Sequence, residues 1–166
     1  MAEGGRDTGA DFDAAGYAAR VAAASRHWLA EEVGSTLPAG CTLRPALPVC
    51  AGDGTLEGWF VPVVAGNRIV ACLRFTPRGA RRGLSHFTQQ PGVLATCPPL
   101  ADWLDRAHIA ARAQGLGQAG ERAGEPTLSF AGSPEHLAWR VPLMAEGRAV
   151  RWIFVSGNSV WASADE

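Results

Sequence analysis

Residues 59–70 read W-F-V-P-V-V-A-G-N-R-I-V, and residues 139–150 read W-R-V-P-L-M-A-E-G-R-A-V. The second stretch follows the first at an offset of 80 residues, without a gap. Trp59/Trp139, Val61/Val141, Pro62/Pro142, Ala65/Ala145, Arg68/Arg148 and Val70/Val150 are identical pairs. A Trp, a mid-run Pro and a post-turn Arg recurring in register mark an internal repeat, and a repeat governs any fold assignment. The chain therefore reads as two copies of one supersecondary unit, at 11–90 and 91–166, behind a flexible tail at 1–10.

Each quoted stretch is the middle of a hairpin. Leu56–Ala65 and Arg68–Thr76 flank Gly66-Asn67; His136–Ala145 and Arg148–Ser156 flank Glu146-Gly147. Two-residue loops of this kind close tight antiparallel pairs. Upstream, Thr42–Cys50 holds Pro45 and Pro48, which cannot donate ladder hydrogen bonds, so an edge or irregular strand is expected. Thr127–Ala131 occupies the matching place in the second unit. Downstream, P-R-G-A-R-R-G at 77–83 reads as a loop before a short strand at Leu84–Thr88, and Gly157-Asn158 turns into Ser159–Ser163.

Helical periodicity precedes both meanders. Phe12, Ala15, Ala19, Ala22, Ala23, Trp28 and Leu29 recur on one face, predicting a helix over 12–33. Asp11 or Asp13 can cap its start, and Gly34 and Pro38 end it. In the second unit, two prolines lead into a stripe of Leu100, Trp103, Leu104, Ala107 and Ala111, predicting a helix over Pro99–Gln114. The expected fold is α+β: two pseudo-repeats of one helix plus an antiparallel meander of three to four strands.

With unbroken alternation, Ala65 faces Arg68 and Trp59 faces Arg74, so Trp59, Val61, Val63, Val70, Cys72 and Arg74 share a side. That side is expected to be covered by the other repeat or by a second chain, with Arg74 stacked on the Trp59 indole. On the second hairpin the same pairing sets Arg140, Pro142, Met144, Ala149, Arg151 and Ile153 on a mixed face. Arg140 and Arg151 are then the candidates for an anionic group.

Composition narrows the function classes. With 15 basic and 16 acidic residues the net charge is −1, so nucleic acid is not an expected partner. Every basic residue is Arg, which fits GC-rich coding alongside the abundant Ala and Gly. No apolar run approaches the ~20 residues that span a bilayer. The N-terminus is polar and acidic, so a cytoplasmic location is expected.

No nucleotide-binding loop, nucleophile elbow or metalloprotease motif occurs. G-L-G-Q-A-G at 115–120 follows a helix rather than a strand and reads as a linker. Cys41, Cys50, Cys72 and Cys97 lack metal-ligand spacing; buried thiols are expected, with a Cys41–Cys50 bridge as the alternative. His27 and His108 sit late in the two predicted helices, where a cation suits the dipole. His86 alone is flanked by several polar groups, Ser85, Thr88 and Gln89. The candidate ligand- or partner-binding residues are Trp59, Arg74, His86, Arg140 and Arg151. No catalytic residue, metal or cofactor is assigned.

A helix followed by an antiparallel meander resembles the cystatin-like architecture. Residues 136–163, H-L-A-W-R-V-P-L-M-A-E-G-R-A-V-R-W-I-F-V-S-G-N-S-V-W-A-S, resemble the strands of PepSY-type domains. Those carry an aromatic strand, a Gly turn, a second aromatic strand and a Gly/Asn turn into a short last strand. Residues 55–88 repeat the pattern more loosely. The resemblance implies a non-catalytic binding or inhibitory module. Tandem glyoxalase/bleomycin-resistance modules are the alternative fold, without the usual His/Glu metal ligands, and type III secretion chaperones also alternate helices with antiparallel strands. The expected function is a non-enzymatic binding module for a protein or peptide partner, of inhibitor, chaperone or accessory type; a homodimer is one arrangement. The alternative is a small-molecule binding protein or an enzyme with its pocket between the repeats.

Overall fold

The computed structural model describes residues 13–34, 36–87, 94–133 and 135–163. The tail expected at 1–10 lies outside them. The fold is α+β, with two antiparallel five-stranded sheets and few helices.

The first helix, α1, spans Ala14–Glu32. The Asp13 carboxylate accepts from the Gly16 amide at 2.8 Å and so satisfies one of the donors a helix start leaves open. Val21, Ser25 and Trp28 form its buried stripe. Ser25 tolerates that position because its hydroxyl donates to the Val21 carbonyl at 2.7 Å.

The first sheet holds β1 (Thr42–Leu43), β2 (Leu47–Cys50), β3 (Leu56–Ala65), β4 (Arg68–Phe75) and β5 (Arg81–His86). β1 and β2 both pair with β3, so the expected edge strand is present but broken at Arg44-Pro45-Ala46. The break explains how Pro62 sits in a central strand. Its carbonyl accepts from Arg44 N at 2.9 Å, so its missing N–H points at the gap between β1 and β2, where no ladder bond is lost. β5 starts earlier than the sequence pattern suggests: Arg81 and Arg82 belong to the strand, because Phe75 takes Arg81 as its ladder partner.

The second half begins with α2 (Ala101–Leu104) and α3 (Arg106–Gln114). The single helix expected over 99–114 is broken at Asp105. That carboxylate accepts from the His108 amide at 3.0 Å and starts a new helix as its cap. The second sheet holds β6 (Arg122–Ala123), β7 (Thr127–Phe130), β8 (Leu137–Ala145), β9 (Arg148–Ser156) and β10 (Ser159–Ala162). β6 and β7 share one edge of β8, and the Pro142 carbonyl accepts from Gly124 N at 2.7 Å in the gap between them. β6 and β7 lie at the same offset of 80 residues from β1 and β2.

Both hairpins carry a β-bulge, which overturns the pairing expected past each turn. In the first, Ala65↔Arg68 and Val64↔Ile69 pair as expected, but Val63 then pairs with Ala71, leaving Val70 as the extra residue. In the second, Met144 pairs with Ala149 and Leu143 with Arg151, leaving Val150 extra. One extra residue exchanges the faces of everything beyond it. Trp59 therefore faces Phe75, not Arg74, and Arg74 lies opposite Phe60. In β9, Ile153 turns to the core, Trp152 and Phe154 turn outward, and Arg151 leaves the face that carries Arg140.

The layers follow from these faces. Trp59, Val61, Val63, Leu73 and Phe75 pack under Val21 and Trp28 of α1. The cover expected from the other repeat or a second chain thus comes from the same half's own helix. The opposite side of the first sheet, with Phe60, Val64, Ile69 and Cys72, shares one core with Trp103, Ile109, Trp139, Val141 and Leu143. Each large apolar side chain buried there contributes about 1.5–3 kcal/mol. The segment before α2 is laced to the first turn: Ile69 N donates to Pro98 O at 3.0 Å and Leu100 N to Asn67 O at 3.0 Å. Arg68 adds a bond from Nη1 to Cys97 O at 2.8 Å. The four cysteines are thiols; the alternative Cys41–Cys50 bridge is not formed. Among the described residues, no helix is long and apolar enough to cross a membrane.

Candidate functional site

Two surfaces follow from this layering. The first is a cavity of about 450 Å³ between the halves. The back of the first sheet contributes Phe60, Cys72, Arg74 and Ser85; α2 contributes Trp103; the end of β9 and β10 contribute Ser156 and Trp161. Aromatic rings dominate the walls. Phe60 and Trp103 are stacked with centroids 6.2 Å apart and planes at 28°, and Phe87 meets Trp103 at 6.0 Å.

Arg74 carries the charge inside this cavity. Its Nε–H is buried and meets no acceptor, and the guanidinium forms no ion pair among the described residues. Beside it, burial pushes the Cys72 thiol up to about 11, against the opposite pull of Arg74 and of hydrogen bonds with Ser85. That shift favours the protonated thiol at neutral pH. Glu135 and His136 are exposed and mark the cavity mouth.

The second surface is the outer face of the second sheet. Trp152 and Phe154 lie half-buried there, Val150 is 49% exposed and Trp161 37% exposed. The Arg140 guanidinium lies 3.6 Å from the centre of the Trp152 ring, and Phe154 stacks on Trp161 at 5.7 Å. A groove of about 610 Å³ runs past Arg140, Phe130, Phe154 and Trp161. The strands of this sheet contain Arg122, Arg140, Arg148 and Arg151 and no carboxylate.

The five residues singled out from the sequence go to different places. Trp59 is 6% exposed, and its indole N–H donates to Pro77 O at 3.0 Å; it is a core residue rather than a binding one. Arg74 lines the cavity. His86 is exposed on the α1 side of β5, because strand alternation turns its neighbours Ser85 and Phe87 into the cavity instead. Arg140 borders the outer groove. Arg151, on the other face, is bound by Glu121 at 2.5 Å and by Leu116 O at 3.0 Å. It is a structural ion pair, and the two arginines do not form one anion site.

Of the helix histidines, His27 faces Glu31 at 3.3 Å and His108 faces Asp102 at 3.2 Å. The described residues include no cluster of three or more metal-ligating side chains. Phe60, Cys72, Ser85 and Trp103 of the cavity, and Trp152 and Phe154 of the outer face, were not legible as site residues. No family model, curated protein or solved structure matches this chain.

Proposed function

We propose that the chain is a tandem of two cystatin-like helix-plus-meander units and works as a non-enzymatic binding module for a partner protein. The tandem reading rests on the common offset of β1/β6 and β2/β7, and on bulges at Val70 and Val150 in the same place of each hairpin. Binding rather than catalysis is supported by the Cys72 thiol of the cavity, which burial pushes up to about 11.

One observation carries the choice of surface. The back of the first sheet is covered by the second half, through Trp103 of α2; among the described residues the corresponding face of the second sheet has no such cover. The fold thus displays what fits a sheet back of this design: a short helix presenting one large aromatic. The segment that does so inside the chain is Leu100-Ala101-Asp102-Trp103-Leu104-Asp105, with carboxylates beside the aromatic. The outer face carries Arg122 and Arg140 and no carboxylate on its strands, which complements the same chemistry. The occupant is therefore an acidic helical segment of a partner protein, seated by an aromatic side chain against Phe154 and Trp161.

Photocrosslinking tests this in the source cell, with p-benzoylphenylalanine at Val150 and at the exposed Ala23 of α1 as control. The expected adduct, mapped by mass spectrometry, lies on another protein, within a helical stretch holding an aromatic and nearby carboxylates. It disappears when Trp161→Ala and Arg140→Ala are combined. Adducts on a second copy of this chain, or the same adducts from Ala23, overturn the proposal.

A further inference from the structure

We propose that the cavity between the halves is a second site, which adjoins the outer groove at Trp161 and binds an aromatic monocarboxylate. The ring lies against Phe60, Phe87 and Trp103, and the carboxylate is held by Arg74. About 450 Å³ falls within the range of pockets that enclose a small organic ligand. The chemistry of the walls then selects the ligand body. Three aromatic rings meeting at centroid distances of 6.2 and 6.0 Å present flat and edge surfaces, which suit another planar ring better than a flexible chain.

Arg74 selects the head group. A guanidinium offers a planar fork of N–H donors that matches a carboxylate. Among the described residues the fork meets no carboxylate. The Nε–H is sealed away from the cavity, so an anion there is met by the terminal N–H groups of the guanidinium. One arginine balances a single negative charge, and the Glu135 carboxylate at the mouth weighs further against the two charges of a phosphate monoester. Cys72 and Ser85, ladder partners beside Arg74, complete a polar end opposite the aromatic one.

The test compares acids with neutral isosteres. The probes are indole-3-acetate, 1-naphthylacetate and phenylacetate with their amides, titrated against the full chain by calorimetry and ligand-observed NMR. At least one acid is expected to bind about tenfold or more tighter than its amide. Arg74→Gln should abolish that preference, bringing the acid down to the affinity of its amide, and Arg74→Lys should retain part of it. Circular dichroism melting of each variant separates loss of binding from loss of fold. Equal affinity of acid and amide, no binding tighter than about 1 mM by any probe, or an acid preference surviving in folded Arg74→Gln overturns the proposal. None of these outcomes depends on crosslinking at Val150, so the two sites are judged separately.

Discussion

The Trp139 indole N–H donates to the main-chain oxygen of Trp103 at 2.9 Å, at the point where the second-half helix breaks. The break at Asp105 releases that carbonyl from helical bonding, and the indole of the neighbouring sheet takes it up. Trp139 is 1% exposed, so neither group has water as a substitute. Trp139→Phe should therefore destabilise the fold by about 1–3 kcal/mol, the cost of a buried acceptor left unpaired. Trp59→Phe removes the equivalent donor from Pro77 O in a less buried loop, and about 0.5–1.5 kcal/mol is expected. Urea unfolding of the two variants checks the order.

Arg151 and Glu121 should be visible in acid. The Arg151 hydrogen bond, followed by one from the Gln118 amide, holds the Glu121 carboxyl below the usual carboxylate range. A carboxyl depressed in the folded state contributes stability that is complete above its unfolded value, and that is lost as pH falls through the folded one. The stability of the native sequence should thus fall more steeply than that of Glu121→Gln below about pH 4.3. Parallel slopes in pH-dependent urea melts would contradict the pairing.

The second hairpin turn can be improved. Glu146 adopts φ 52° and Gly147 φ 79°, both left-handed. Asn tolerates that region better than Glu. Glu146→Asn should stabilise the chain by about 0.5–1 kcal/mol, read as a higher melting temperature. Gly147→Ala should lower it.

Thiol labelling should follow burial. Cys72 is buried with its thiol pushed up to about 11, whereas Cys50 is half-buried with its thiol raised mainly by burial and then by Glu57. Iodoacetamide at mildly alkaline pH should modify Cys50 well before Cys72, followed site by site by mass spectrometry. Equal rates would mean that the back of the first sheet opens freely.

Much of the architecture was legible because turns and prolines report backbone needs locally. Gly66-Asn67 and Glu146-Gly147 close the two hairpins, and Pro45 marks the broken edge. The bulges at Val70 and Val150 were not legible, because the unbulged register sorts apolar from polar residues at least as well. Strand alternation alone puts Trp152 and Phe154 in the core and Ile153 outside. Two misplacements follow from that one-residue step: Arg74 moved away from Trp59, and Arg151 away from Arg140. The cavity was hidden for a different reason. Its walls come from strands and a helix far apart in the chain, and their meeting depends on how the second half seats on the first.

That seating has a consequence for the order of events at the ribosome. Synthesis runs from the N-terminus, so α1 and the first meander emerge before Trp103 does. Phe60, Val64 and Ile69 then face water while the chain from Phe75 to Trp103 is still being made, a delay of a few seconds at roughly 5–20 residues per second. The nascent first half is a sheet closed on one side only, and ribosome-bound chaperones that hold apolar strands have their opportunity there. The prolines and the Leu100–Asn67 bond end that interval by bringing α2 down on the open side as soon as it appears.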